Sequence, residues 1–207
     1  LMTVLNYPSL PVKPGAMGKP LPGTEAAVID ERGRVLPPGE TGMLAIRLPN
    51  PQLMLGYWRE PERSRETVLE ADGVSWFLTN DTAHRDSEGY LFYHGRADDV
   101  INSAGYRIGP LEVENALIEH PAVQECAVVG SPDAERGEIV KAFVILKPGQ
   151  LGTLELARAL QEHVKRVTAP YKYPRRIEFV ADLPRTVSGK LLRRQLRDAE
   201  YAAARRA

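Results

Sequence analysis

The sequence predicts an α+β protein, in which a small β-barrel-like subdomain is followed by a compact α+β domain. Up to His94 the apolar residues come in short stretches separated by glycine and proline, a pattern typical of short strands joined by tight turns. After Arg96 continuous β-branched runs alternate with stretches of helical spacing. We therefore expect one domain over residues 1–97 and a second over residues 98–207.

The first domain is predicted to consist mainly of strands. Its apolar stretches occupy residues 26–29, 42–48, 76–79 and 90–93. The first two are separated by the polar sequence Glu-Arg-Gly-Arg at residues 31–34, which favours a turn.

The second domain is predicted to mix strands and helices. The runs at 126–129, 139–146 and 177–180 are predicted strands. Pro110 can occupy the first turn of a helix that ends near Glu119, because its missing N–H costs nothing there. Thr153 can cap a second helix, and an arginine-rich amphipathic helix is expected from Leu191 onward. The apolar face of the second helix is predicted to comprise Leu154, Ala157, Leu160, Val164 and Val167.

Composition excludes several functions. Lys+Arg and Asp+Glu both number 27, so no net charge attracts the chain to nucleic acid or to an anionic membrane. The single cysteine, Cys126, has no partner for an intrachain disulfide, which fits a reducing compartment. No apolar run reaches the roughly 20 residues of a membrane span. The four histidines lack metal-ligand spacing. We expect a cytoplasmic protein without a membrane span, a nucleic-acid partner or a metal site of its own.

The most unusual segment is residues 95–114, with the sequence GRADDVINSAGYRIGPLEVE. It places two arginines, the adjacent carboxylates Asp98 and Asp99, and three glycines between a predicted strand and a predicted helix. Gly105 allows the backbone to approach a ligand closely. A solvated turn with two salt bridges is the simpler interpretation of such a charged connection.

This segment resembles a core motif of the acyl-adenylate-forming superfamily, which includes acyl-CoA synthetases, the adenylation domains of peptide synthetases and luciferases. Residues 76–81, WFLTND, resemble its strand ending in Thr-Gly-Asp, and residues 183–190, LPRTVSGK, resemble its C-terminal lysine motif. Three ordered matches are far more specific than one. Residues 101–110, INSAGYRIGP, and residues 168–174, TAPYKYP, are similar to medium-chain acyl-CoA synthetases in particular.

The resemblance implies the C-terminal part of an ATP-dependent carboxylic acid:CoA ligase for medium-chain fatty or related acids. In such enzymes the acid and ATP give an acyl-adenylate and pyrophosphate, CoA then displaces AMP, and the C-terminal lid domain rotates between the steps. The implied partners are the acid, ATP, CoA and the N-terminal portion of the same enzyme. The family's phosphate loop does not occur in this sequence, so Mg²⁺ ligands are expected in that portion and the chain alone is expected to be inactive.

The resemblance also assigns roles around the first two motifs. Asp81 is implied to accept hydrogen bonds from both ribose hydroxyls, which the two oxygens of a carboxylate can do. Asn80 stands where the family usually has glycine, and asparagine tolerates a left-handed backbone better than most residues. Arg96 is implied to reach the ribose and phosphate, with a salt bridge to Asp98 or Asp99 as the alternative. Asp98 is also implied to be the hinge of the domain rotation.

The resemblance assigns two further positively charged residues to nucleotide binding. Arg107 is implied to help hold phosphate, with pairing to Glu112 or Glu114 as the alternative. Lys190 is implied to be the catalytic residue, which bridges the acid's carboxylate and the nucleotide's oxygens during adenylation. The alternative for Lys190 is a solvated lysine at the start of an arginine-rich helix.

CoA carries an adenine and several phosphates, so its binding surface should offer cations and an aromatic face. The implied CoA-binding residues are Ser103, Gly105, Tyr106, Arg136, Lys165 and Tyr173. A solvated lysine is the alternative for Lys165. We interpret the arginines of the last helix, Arg193, Arg194 and Arg197, as a solvated face.

Two other functions remain open. The first is an adenylation domain that loads a carrier protein, against which the form of residues 106–110 and the lack of a following carrier segment argue. The second is a non-catalytic CoA-binding or regulatory lid module. Lys190 and the hinge argue against it, because a pure binding module needs neither.

Overall fold

The computed structural model describes residues 3–206, and the chain divides into two compact units, Leu1–Asp98 and Asp99–Ala207. The sequence prediction placed this division after Ala97. Each unit contains its own β-sheet, and helices are concentrated in the second unit. The structure is therefore a mixed α+β protein with two sheets.

The first unit is built on a seven-stranded sheet whose paired strands are all antiparallel. Its elements are β1 (Val4–Leu5), β2 (Ala16–Pro20), β3 (Ala26–Ile29), β4 (Thr41–Arg47), α1 (Pro61–Arg65), β5 (Val68–Ala71), β6 (Val74–Arg85) and β7 (Leu91–Arg96). The strand order is β1-β2-β7-β6-β4-β3, and β5 pairs with β6.

The barrel-like closure suggested by the sequence is not found in residues 3–206, where the sheet is an open path with β1 and β3 at its ends. Closure requires the two end strands to meet along their length. Here β1 has only two residues and β3 only four. Apolar side chains cover both faces of this open sheet, since Ala27 and Ile29 join one buried cluster while Val28 joins another.

The second unit contains a five-stranded sheet, with the order β10-β11-β8-β9 and β12 parallel to β11. Its elements are β8 (Ile101–Ser103), β9 (Tyr106–Ile108), α2 (Pro110–Ile118), β10 (Val123–Asp133), β11 (Gly137–Leu146), α3 (Leu154–Val167), β12 (Arg176–Phe179) and α4 (Arg193–Ala204). Short 3₁₀ turns occupy Ala97–Asp99 and Pro170–Lys172.

The second sheet is covered on both faces. Cys126 and Val128 of β10 pack into a cluster that includes apolar residues of α2 and α3. The intervening Ala127 and Val129 pack into a second cluster with Leu183, Leu191 and Leu196, the last of which lies on α4. The segment around Lys190 therefore lies on the α4 side of this sheet.

The predicted helix starts are confirmed. Pro110 begins α2, and the Thr153 hydroxyl accepts a hydrogen bond from the Leu156 N–H at 3.2 Å. The predicted apolar face of α3 is too wide, because Leu154 and Val167 are 76% and 44% exposed. Its core contacts come from the first three turns of the helix, through Leu156, Leu160 and Val164. No helix within residues 3–206 is long and apolar enough to cross a lipid bilayer.

Candidate functional site

A bulge in β6 releases Asp81 from the pairing with β4, while Asp81 stays paired with β7. Met43 of β4 pairs with Thr82 and Ala45 pairs with Leu78, so three residues of β6 lie opposite one residue of β4. The middle residue of the three, Asn80, adopts the left-handed conformation with φ 60°. Asparagine can replace the usual glycine here because it tolerates this conformation.

The Thr79 hydroxyl closes the bulge. It donates to the Leu44 carbonyl at 2.8 Å and accepts from the Asp81 N–H at 3.1 Å. The backbone groups released from the ladder thus keep partners, as buried polar groups require. The sequence Thr-Asn-Asp is therefore a structural unit that presents the Asp81 carboxylate.

Asp81 lies beside Arg96 of β7, its direct partner in the strand register. Arg96 Nη1 is 3.8 Å from Asp81 Oδ1, whereas Arg96 Nε donates to Asp98 Oδ1 at 3.0 Å. The salt bridge to Asp98 that was considered for Arg96 is thus present. Burial raises the pKa of Asp81, the positive charge of Arg96 lowers it, and the negative charge of Asp98 raises it. The structure brings these three predicted residues together in the first unit.

The β8–β9 hairpin presents three of the residues predicted to bind CoA, Ser103, Gly105 and Tyr106. Its turn residues Ala104 and Gly105 have φ values of 50° and 84°, the pattern of a type I′ turn. A Cβ atom at Gly105 would meet nothing within 4 Å, so packing does not require glycine there. Ser103 is buried and Tyr106 is half exposed. The turn is therefore open on the surface of the second unit.

Replacing Ala104 with asparagine should stabilise the protein by about 0.5–1 kcal/mol, because alanine pays a steric cost at positive φ that asparagine partly avoids. Urea denaturation of the two proteins measures the difference. Ala104→Val is the matched control, which we expect to be destabilising because a β-branched side chain fits this conformation poorly. A destabilising effect of Ala104→Asn would contradict the turn assignment.

An aromatic stack supports the hairpin. The rings of Tyr106 and Tyr171 lie 4.2 Å apart between centroids, with an interplanar angle of 18°. Both side chains are about half exposed. Beside them, Lys172 Nζ is 2.6 Å from the carboxylate oxygen Oε1 of Glu112. Sequence reasoning missed Tyr171, although it lies inside the segment 168–174 that resembles medium-chain acyl-CoA synthetases.

Two of the remaining predicted CoA residues lie together. Lys165 Nζ is 4.2 Å from the centroid of the Tyr173 ring, and Arg175 donates to the Tyr173 hydroxyl at 2.9 Å. Arg136 is in contact with the hairpin turn, because its carbonyl accepts from the Ala104 N–H at 3.1 Å. Lys165 also forms an ion pair of 2.6 Å with the exposed Glu162, one turn earlier on α3.

Lys190 lies in a tight hairpin between Leu183, which is buried against the second sheet, and α4. The Thr186 N–H donates to the Lys190 carbonyl at 2.8 Å, and the Thr186 hydroxyl accepts from the Lys190 N–H at 3.0 Å. Gly189 takes φ 82° and donates its N–H to the Thr186 carbonyl at 2.9 Å. The backbone of Lys190 is thus held on both sides while its side chain is exposed.

The solvated arginine face predicted for α4 is wrong for Arg193. Arg193 binds both carboxylate oxygens of Glu114, at 2.9 and 2.6 Å, and the Glu114 side chain is only 5% exposed. The same carboxylate accepts from the Val128 N–H at 2.8 Å. Arg194 does fit the prediction, since it is 83% exposed in a long pair with Asp198. The sequence could not show this difference because the acidic partner lies 79 residues earlier.

Arg107 lies on β9, where it is exposed. The two carboxylates considered as its partners bind other cations, Glu112 with Lys172 and Glu114 with Arg193. Its role at the nucleotide phosphates stays a prediction.

Comparison with known proteins identifies the family. Residues 2–58 match the profile of the AMP-binding enzymes, and residues 112–190 match that of the AMP-binding enzyme C-terminal domain. These matches lie on either side of the boundary between the two units. The chain belongs to the AMP-binding enzyme superfamily.

Within this superfamily the chain is homologous to acyl-CoA synthetases. It is 52% identical over 190 residues to the uncharacterised acyl-CoA ligase YtcI of Bacillus subtilis, covering 92% of this chain and 35% of the relative. It is 50% identical to mouse mitochondrial acyl-coenzyme A synthetase ACSM1, covering 92% and 33%. Among solved structures, anthranilate CoA ligase AuaEII in complex with anthranoyl-AMP matches with a TM-score of 0.82 and 43% identity, covering 93% and 36%.

The chain thus spans about a third of the length of the AMP-binding enzymes that it matches, and it corresponds to their C-terminal portion. Within residues 3–206 no group of three or more histidine, cysteine, aspartate or glutamate side chains could hold a metal ion.

Proposed function

We propose that the protein containing this chain is an ATP-dependent carboxylic acid:CoA ligase, which forms an acyl-CoA through an acyl-adenylate. The observation that carries the proposal is the placement of Asp81, whose partly buried carboxylate lies at the Asn80 bulge, where β6 is released from β4 but stays paired with β7. Its ion pair with Arg96 is long, at 3.8 Å, and burial raises its pKa. A carboxylate held this way has free acceptor capacity for two ribose hydroxyls.

In the proposed first half-reaction, a carboxylate oxygen of the acid attacks the α-phosphorus of ATP and the bond to pyrophosphate breaks. Asp81 holds the ribose, while Arg96 and Arg107 bind phosphate oxygens. The Lys190 ammonium is a compact positive charge that bridges the acid's carboxylate and the nucleotide. Its backbone is fixed by Thr186, so little reorganisation is needed when charge moves between the two oxygens.

In the proposed second half-reaction, the CoA sulfur attacks the acyl carbon, the thiol proton is released, and the bond between that carbon and the AMP oxygen breaks. The hairpin turn at Gly105, with Ser103 and Tyr106, borders the pantetheine arm. The surface of Arg136, Lys165 and Tyr173 binds the nucleotide end of CoA through charge and ring contacts. A rotation of the second unit about Asp98, within the 3₁₀ turn at the boundary, exchanges the two sites.

We propose medium-chain fatty or related acids as the substrate class. The support is the similarity of residues 101–110 and 168–174 to medium-chain acyl-CoA synthetases, together with the identity of about half of all residues to ACSM1. The portion of the relatives beyond this chain accounts for about two thirds of their length, and the acid is expected to bind there.

Pyrophosphate release from ATP and octanoate tests the proposal. We expect the complete protein to release pyrophosphate, and to form octanoyl-CoA and AMP when CoA is added. The 207-residue chain alone should do neither, because one lysine cannot replace the cradle of backbone N–H groups that phosphates need. Butyrate and hexadecanoate serve as controls for chain length. Formation of ADP by the complete protein, or sustained turnover by the chain alone, would contradict the proposal.

A further inference from the structure

We infer that Arg185, held by Glu125, is a positioning residue that sets the place of Lys190 for adenylation. The inference rests on the proposed role of Lys190 and adds two residues, neither of which contacts substrate. Glu125 lies on β10 of the five-stranded sheet in the second unit, and Arg185 lies at the start of the Lys190 hairpin.

The Arg185 guanidinium links the sheet to the peptide immediately before Lys190. Arg185 Nη1 donates to the Gly189 carbonyl at 3.1 Å, while Arg185 Nη2 is bound to Glu125 Oε1. A guanidinium suits this arrangement because its nitrogens form a planar, rigid fork that can engage two acceptors at once. A lysine at position 185 could not hold both acceptors in a fixed geometry.

The other hydrogen bonds of the hairpin stay within it, and packing of Leu183 and Leu191 on the sheet fixes its base but not its tip. Thr186 binds Gly189 and Lys190 within the turn, and Arg185 forms an isolated bridge with Leu191 at its base. The tip is in solvent, since Val187 is fully exposed. Arg185 therefore ties the tip of the hairpin, next to Lys190, to β10.

The two ion pairs that flank Lys190 differ in what their loss does to the fold. Glu114, which pairs with Arg193, is nearly buried, so its removal would leave an unpaired charge in the core. Arg185 and Glu125 are 38% and 34% exposed, and exposed pairs contribute little to stability. Breaking the Arg185–Glu125 pair should therefore leave the fold intact and affect the hairpin alone.

The consequence for the reaction follows from how strongly rates depend on geometry. Lys190 must place a flexible ammonium at oxygens whose charge changes during adenylation, and a displacement of about 1 Å can cost on the order of a hundredfold in rate. Thioester formation does not use Lys190 in the proposed mechanism. The pair should therefore affect only the first half-reaction.

The test is a pair of single-turnover assays on the complete enzyme, one for octanoyl-adenylate formation and one for octanoyl-CoA formation from supplied octanoyl-adenylate. The variants are Arg185→Gln and Glu125→Gln, each in the natural background and combined with Lys190→Ala. The matched control is Asp198→Asn, which breaks the exposed pair with Arg194 on α4 of the same unit.

We expect Arg185→Gln and Glu125→Gln to slow adenylation by about tenfold, within the range that misplacement of a reacting group produces, and to leave thioester formation unchanged. Neither should slow adenylation further when Lys190 is already alanine, because a residue that acts through Lys190 has nothing left to position. Asp198→Asn should change neither step.

Three outcomes would overturn the inference. They are no loss in the Arg185 variant, equal loss in both half-reactions, and a further loss in the Lys190→Ala background. In each case the proposed function would still hold, provided that the Lys190→Ala enzyme forms acyl-adenylate more slowly than the natural enzyme. If Lys190→Ala itself formed acyl-adenylate at the natural rate, the proposed role of Lys190 would fail, and the inference with it.

Discussion

Replacing Lys190 with alanine should slow acyl-adenylate formation by about 10²–10³-fold, the usual loss for one preorganised donor at an oxygen that gains charge. Thioester formation from supplied acyl-adenylate should remain nearly unchanged. The structure supports this selectivity, because the side chain of Lys190 is exposed while its backbone is fixed by Thr186. Little else in the fold depends on the ammonium group, so its removal should not disturb packing.

Two single-turnover assays on the complete enzyme measure this effect. Lys147→Ala is the matched control, since Lys147 is an exposed lysine at the end of β11 in the same unit. We expect the control to leave both steps unchanged. Parallel losses in both half-reactions of the Lys190 variant would show that Lys190 acts on the structure and not on adenylation.

Replacing Asp81 with asparagine should raise the KM for ATP by roughly tenfold to a hundredfold, because a hydrogen bond to a charged group is worth about 1.5–3 kcal/mol. The same change should raise stability at neutral pH. Burial raises the pKa of Asp81, so the folded chain holds this proton more tightly than the unfolded chain does. The ionised carboxylate therefore destabilises the fold, and stability should increase as the pH falls through the raised pKa.

Steady-state kinetics and urea denaturation of Asp81→Asn test the two effects together. In the natural enzyme the KM for ATP should begin to rise, on acidification, at a higher pH than an ordinary aspartate would produce. Glu88→Gln is the control, because Glu88 is an exposed carboxylate in the turn between β6 and β7. Weaker nucleotide binding together with lower stability would indicate that Asp81 is a structural residue.

The elements that the sequence predicts well are those with local signals. Helix α2 begins at Pro110 and α3 is capped by Thr153, as predicted, because both signals depend on neighbouring residues alone. The left-handed conformation of Asn80 was likewise anticipated from residue type. The short strands β1, β2 and β5 were missed. Strand β2 pairs with β7, which lies far along the chain, whereas β5 pairs with the next strand, β6, across the Asp72-Gly73 turn, a local signal that the prediction overlooked.

Features that depend on contacts between distant residues could not be predicted. The prediction of a barrel-like closure was wrong because the sequence does not show which strands lie at the edges of the sheet. Arg193 was interpreted as solvated because its partner Glu114 precedes it by 79 residues. The stack of Tyr106 on Tyr171 and the contact of Arg185 with Glu125 could not be predicted for the same reason, because each joins residues far apart in the sequence. In each case the residue types were compatible with several partners, and only the fold selects one.

The fate of the acid's oxygen tests the central claim most directly. The complete protein is incubated with ATP, CoA and octanoate labelled with ¹⁸O in both carboxylate positions, and the products are analysed by mass spectrometry. If a carboxylate oxygen attacks the α-phosphorus and later leaves with the nucleotide, one ¹⁸O atom appears in AMP for each octanoyl-CoA formed. Label in inorganic phosphate with ADP as the nucleotide product, or AMP free of ¹⁸O, would contradict the acyl-adenylate route.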